Sequence, residues 1–139
     1  PAAYSLASFT TAGLTCLDRK LTKVDLMEGV TDNLLARGDA FDLVVANMVL
    51  HHVPSPADIF LDASALMNSG ACLMISDLCS HDQDWAKENC GDLWLGFEPE
   101  ELTSWAADAG LTAGEQLFIG LRNGFQVQVR EFWKSTETA

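Results

Sequence analysis

Apolar and polar residues along this chain change their period at several points, and each change marks a predicted element. Residues 1–15 show neither a helical nor a strand period and contain no charged residue. In 23–30, Val24, Leu26 and Val30 stand against polar Asp25 and Glu28, and Gly29 closes what reads as a short strand. Thr31 or Asp32 can cap a brief helical turn over 33–39, stopped by Gly38. The next segment, 41–53, holds the run Leu43 to Ala46, too continuous for a strand with one wet face, and predicts a buried, central parallel strand. Pro54 and Pro56 interrupt it. Ser55 or Pro56 then opens a helix with Ile59, Phe60, Ala63, Leu66 and Met67 at helical spacing and Gly70 as its stop. A second buried strand is expected over 71–78, with Asp77 near its end, so that strand, helix and strand make a βαβ unit.

Beyond it, 82–94 predicts a loop or short helix. Residues 99–111 predict a firmer helix: Pro99 suits the first turn, Leu102, Trp105, Ala106 and Ala109 share a face, and Gly110 ends it. The stretch 115–133 carries two strand patterns around Arg122-Asn123-Gly124, where Asn and Gly tolerate positive φ, and predicts a closing antiparallel hairpin. The boundaries that follow are an arm or linker over 1–22, an α/β domain over 23–134 and a tail over 135–139.

Composition narrows the partners. Twenty acidic residues against 8 basic ones leave a formal charge of −12, which repels a phosphate backbone and argues against nucleic acid. No apolar run approaches the ~20 residues of a membrane span, so a soluble protein is expected. Cys16, Cys72, Cys79 and Cys90 form no C-x-x-C pair and no zinc spacing. They read as reduced, mostly structural thiols in an intracellular setting, cytoplasm or organelle interior, and no metal site is expected.

Candidate chemistry gathers after the two buried strands. His51 and His52 sit at a strand's end, and histidine as a residue type can exchange a proton near neutral pH, so they can serve as general base or acceptor ligand, or simply as solvated loop residues. His81 follows Asp77 closely and can join it in an acceptor-side cluster, although a turn residue and a helix cap explain the pair as well. Trp85, Trp94, Phe97 and Trp105 can wall a pocket for a flat acceptor or fill the core with large rings.

The stretches FDLVVANMVLHHV, SGACLMISDL and GDLWLGFEPEELTSWAADAGL, in that order and closed by a hairpin, make the chain resemble the class I S-adenosylmethionine-dependent methyltransferases over 23–134. The resemblance implies a mostly parallel, Rossmann-like α/β sheet with a C-terminal antiparallel hairpin, and a cofactor crevice at the carboxyl ends of the parallel strands. Carried over, it places Glu28, Gly29 and Asp32 near the adenine and Ala46, Asn47 and Met48 near the methionine part. His51, His52 and Asp77 become catalytic candidates, with His81 and Trp94 on the substrate side. The family's acid after the strand-ending glycine is here Val30, with Asp32 two residues later.

The ten glycines never stand two apart, so the family's G-x-G turn is missing, and residues 1–22 are too few to hold it with its strand. An N-terminally truncated fold is therefore expected, its apolar edge covered by the N-terminal arm, a second copy, a protein partner or residues beyond this sequence. Two functions follow from the resemblance: an S-adenosylmethionine-dependent methyltransferase, or a fragment of one, acting on a small molecule; or a catalytically inactive methyltransferase-like subunit serving assembly.

Overall fold

The computed structural model describes residue 38, residues 40–81 and residues 94–136. The strand expected at 23–30, the helical turn at 33–39 apart from Gly38, and most of the segment 82–94 lie outside the described residues.

Strand β1 (Phe41–Asn47) pairs in parallel with β2 (Met67–Leu78), with Ala46 opposite Ile75 and Asn47 opposite Ser76. Helix α1 (Pro56–Leu66) makes the crossover, entered through a 3-10 turn at Leu50–His52. Pro56 occupies the first turn of α1, where its missing N–H costs nothing. The helix ends at Leu66 rather than at Gly70, and β2 begins four residues earlier than the sequence suggested. Its first residues form an irregularity: Phe41 pairs with Met67 but Leu43 already pairs with Cys72. The end of α1 is held from outside, by Lys134 Nζ donating to the carbonyls of Ser64 and Met67 at 2.7 and 2.9 Å, a cation where the helix dipole favours one.

Helix α2 (Pro99–Asp108) starts with Pro99 and a capping box between Glu98 and Glu101. Strands β3 (Leu111–Gly120) and β4 (Gln126–Lys134) form the predicted hairpin, and β4 inserts between β2 and β3 to give the order β1-β2-β4-β3. The turn uses positive φ at Gly124 alone; Asn123 instead accepts a hydrogen bond from the Phe125 amide through its side chain, at 3.2 Å. β3 carries one extra residue between Ala113 and Gln116, and the amide of Glu115 in that bulge donates to Glu131 Oε1 at 3.1 Å.

Both helices pack on one sheet face. Phe60 and Ala63 of α1, Leu102 and Ala106 of α2, and Ala46, Leu73, Ile75 and Phe132 of the sheet make one buried cluster. Its aromatic spine runs from Phe132 to Phe60 with ring centroids 5.5 Å apart, then to Trp105 at 6.2 Å and Phe97 at 5.6 Å. Phe97 and Trp105 thus follow the core reading. β1 is less buried than its apolar run predicted: among the described residues it has a neighbour only on its β2 side, Ala46 is its one buried residue, and Leu43 is 38% exposed.

Candidate functional site

The parallel pair decides where chemistry can gather, because β1 and β2 end side by side and their following loops share one space. Asn47 is exposed at the end of β1, and its amide makes no hydrogen bond among the described residues. Met48 then turns the chain at φ 56°, the one non-glycine residue at positive φ among those described, with its amide donating to Ser76 O at 2.7 Å. A bulky residue in that region is strained and persists only where its surroundings hold it, which happens most often at functional sites.

Asp77 is wholly buried at the end of β2. Its Oδ2 accepts the Leu50 amide at 2.9 Å, and its Oδ1 accepts the Leu78 amide at 2.8 Å and contacts His51 Nδ1 at 2.6 Å. An ionised carboxylate can only accept, so the His51 proton sits on Nδ1. His51 is itself 5% exposed. Asp77 therefore caps the 3-10 turn and orients the imidazole. It reaches no open surface. His52 is exposed, and its ring lies against that of His51 with centroids 4.1 Å apart.

The remaining candidates close the same region. Trp94 donates from Nε1 to Val53 O at 2.8 Å and from its amide to His51 O at 3.3 Å, so the substrate-side candidate is tied to the histidine loop. His81 donates its amide to Leu95 O at 2.9 Å and sets its ring edge-on to Phe125, 4.6 Å away, where β2 and the hairpin meet. Ala46, Asn47, Met48, His51, His52, Asp77, His81 and Trp94 all lie around the carboxyl ends of β1 and β2. Glu28, Gly29 and Asp32 lie outside the described residues.

Several supporting residues were not foreseen. Gly96, at φ 78°, lies under the loop; a Cβ there would stand 2.1 Å from Cys79 O, so only glycine lets the Trp94–Phe97 stretch cross the end of β2. Its signal was a lone glycine away from any predicted element end. Gln128 Nε2 donates to Phe97 O at 2.9 Å, and Arg130 donates from Nη1 to Pro99 O at 2.9 Å and from Nη2 to Thr103 Oγ1 at 2.6 Å. These buried polar side chains of β4 fix the loop and the start of α2; burial, the largest influence, pushes the Arg130 guanidinium below its ordinary range. The thiols of Cys72 and Cys79 are free, and burial pushes both upward, reinforced by Glu131 near Cys72 and by Glu98 near Cys79. No group of metal-ligating side chains occurs among the described residues, and none of their helices is long and apolar enough to cross a membrane.

A family model of the methyltransferase domain matches residues 18–116, most of the chain. The chain belongs to that family. No curated protein gives a significant match. Among solved structures, this methyltransferase domain is similar to a protein assigned as a sarcosine dimethylglycine methyltransferase from Galdieria sulphuraria, with TM-score 0.77 and 10% identity over 96% of this chain and 68% of that one. It is similar also to the methyltransferase solved with the Haloferax volcanii Trm112 activator, with TM-score 0.68 and 15% identity over 87% and 67% of the two chains. A third likeness is to magnesium protoporphyrin IX methyltransferase of Synechocystis PCC 6803, with TM-score 0.59 and 15% identity over 78% and 50%. That enzyme was solved with SAH bound. At such identities these likenesses show the fold, a mixed α/β methyltransferase sheet.

Proposed function

We infer that this methyltransferase domain binds S-adenosylmethionine at the carboxyl ends of β1 and β2 and serves methyl transfer to a small molecule. The observation that carries the reading is the strained turn at Met48, which lies beside the His51–Asp77 pair and follows an exposed Asn47 whose side-chain amide makes no hydrogen bond among the described residues. An amide both donates and accepts, so Asn47 suits the amino-acid end of the cofactor, which bears an ammonium and a carboxylate. The described residues fit that end of the group. The adenine end would fall to Glu28, Gly29 and Asp32.

When bound, the cofactor supplies an electrophilic methyl group on a sulfonium. The chain's residues position the acceptor and receive its proton. His52, exposed and backed by the ring of His51, accepts a proton from an acceptor that carries one, and Trp94 walls the approach with a ring fixed by its Nε1 hydrogen bond. The formal charge of −12 favours a small acceptor over nucleic acid. Two free thiols with raised pKa suit a reducing intracellular compartment.

A second reading, a methyltransferase-like subunit without its own turnover, draws on the absence of any G-x-G among the ten glycines. Isothermal titration with S-adenosylmethionine separates the two. Binding by the chain, alone or with its natural partner, that weakens at least tenfold in Asn47→Ala supports the cofactor site. Full cofactor affinity with lowered turnover in His52→Ala supports the base. No uptake at millimolar cofactor in either setting leaves the subunit reading in possession.

A further inference from the structure

We propose that β3 is a self-association edge, joining two copies of the chain through antiparallel pairing of their β3 strands about Phe118. This edge is the opposite one from β1. Among the described residues β3 has a partner only on its β4 side, and every residue from Thr112 to Gly120 is exposed. The exposure is apolar: Leu117 is 58% exposed, Phe118 38%, Ile119 43% and Leu121 42%. Natural edge strands usually blunt such a surface with lysine, proline or an inward charge, and the run Leu117 to Leu121 contains none of these.

The hairpin settles which backbone groups are available. Leu121 donates its amide to Phe125 O at 2.8 Å, so Leu121 faces β4. Alternation along a strand then turns Ile119 and Leu117 toward β4 as well, and leaves the N–H and C=O groups of Gln116, Phe118 and Gly120 pointing outward. An antiparallel two-fold centred on Phe118 sets these outward residues against one another: Phe118 opposite Phe118, and Gln116 opposite Gly120. Each such pair exchanges two hydrogen bonds. On the face away from the helices Leu117 falls opposite Ile119 of the second copy, an apolar cross-strand pair at contact distance.

Charge favours this occupant and this direction. Glu115 precedes the apolar run and Arg122 follows it. Antiparallel pairing sets Glu115 of each copy opposite Leu121 of the other, so that Glu115 and the second copy's Arg122 come to the same end of the ladder one position apart; parallel pairing would set like charges together. The edge is thus complementary to itself, as a two-fold interface requires. Four half-exposed side chains fall short of the roughly 800 Å² per partner of a standard interface, so the association is reversible and concentration-dependent. With −12 on each copy, added salt strengthens it by screening the repulsion.

Sedimentation velocity over a concentration series tests this, and the charge variants keep the test independent of folding. Glu115→Arg weakens association at least fivefold even though it lowers the formal charge from −12 to −10, one negative replaced by one positive. General repulsion predicts the opposite sign for that variant. Arg122→Glu also weakens it, and Glu115→Arg with Arg122→Glu together restores it at the original charge. Phe118→Lys yields a monomer. Hydrogen exchange with concentration protects the amides of Gln116, Phe118 and Gly120, while those of Leu117 and Ile119 are already slow. A monomer at every concentration and salt, or a dimer indifferent to all these variants, overturns the proposal.

Discussion

Removing the Asp77 carboxylate measures how much of the site's geometry rests on one buried group. Three N–H donors converge on it: Leu50 and Leu78 from the backbone at 2.9 and 2.8 Å, and His51 Nδ1 at 2.6 Å. In Asp77→Ala all three lose their acceptor inside the protein, and stranding a buried donor costs about 1–3 kcal/mol. Leu78 is next in the chain and can shift most easily, so the loss should be about 3–5 kcal/mol, as when one partner of a buried pair is removed. Asp77→Asn keeps one oxygen. With Oδ1 retained, His51 and Leu78 remain satisfied and only the Leu50 amide faces a competing donor, a loss of about 1–3 kcal/mol. Urea unfolding followed by tryptophan fluorescence reads both values. Long-range proton–nitrogen NMR reads the tautomer, which should be the Nδ1-protonated form of His51 in the parent chain and mixed in Asp77→Ala. A loss below about 1 kcal/mol in Asp77→Ala, or an unchanged tautomer, would refute the view that this carboxylate positions the histidine loop.

Gly96→Ala should destabilise by at least about 1–3 kcal/mol from its left-handed backbone alone, and the 2.1 Å approach to Cys79 O adds to that; thermal unfolding measures it. Lys134→Met removes the donor to Ser64 O and Met67 O, which should cost about 1 kcal/mol and lower Tm by about 4 °C, read by circular dichroism. The raised thiols of Cys72 and Cys79 imply that the neutral form is favoured in the folded state, so their contribution is complete below the ordinary thiol range, about pH 8.5, and fades as pH rises through it. The urea midpoint should therefore fall between neutral and strongly alkaline pH, and Cys72→Ala should flatten that fall; an unchanged slope would count against burial as the cause.

Much of the placement of the candidate residues was readable before any coordinates. FDLVVAN, the proline-opened helix and MISDL each carry a local period, and strand, helix and strand in that order bring Asn47 and Asp77 to the same end of a sheet. What each candidate does there was not readable. Asp77 and His51 looked like catalytic groups of equal standing with His52, yet the first two are buried in a mutual contact and only His52 is exposed. The Leu50 amide that Asp77 accepts is 27 residues away in sequence, and no local pattern encodes such a partner. The buried, central reading of β1 rested on an apolar run, but burial also depends on what lies beside a strand, which its own residues do not state.

Strand β4 shows the division most plainly. Its period-2 alternation is a property of the chain, because successive side chains on an extended backbone point to opposite faces. Which face turns inward is a property of the fold. Hydrophobicity alone would bury Val127 and Val129, yet Gln128, Arg130 and Phe132 face the helices, because Phe132 must meet Phe60 and the two polar side chains must satisfy the carbonyls of Phe97 and Pro99. Local propensity and period thus determined the elements, their order and the turn at Gly124. The choice of faces, the tie between His51 and Asp77 and the open edge at β3 were decided only when distant segments competed for the same hydrogen bonds and the same apolar surface.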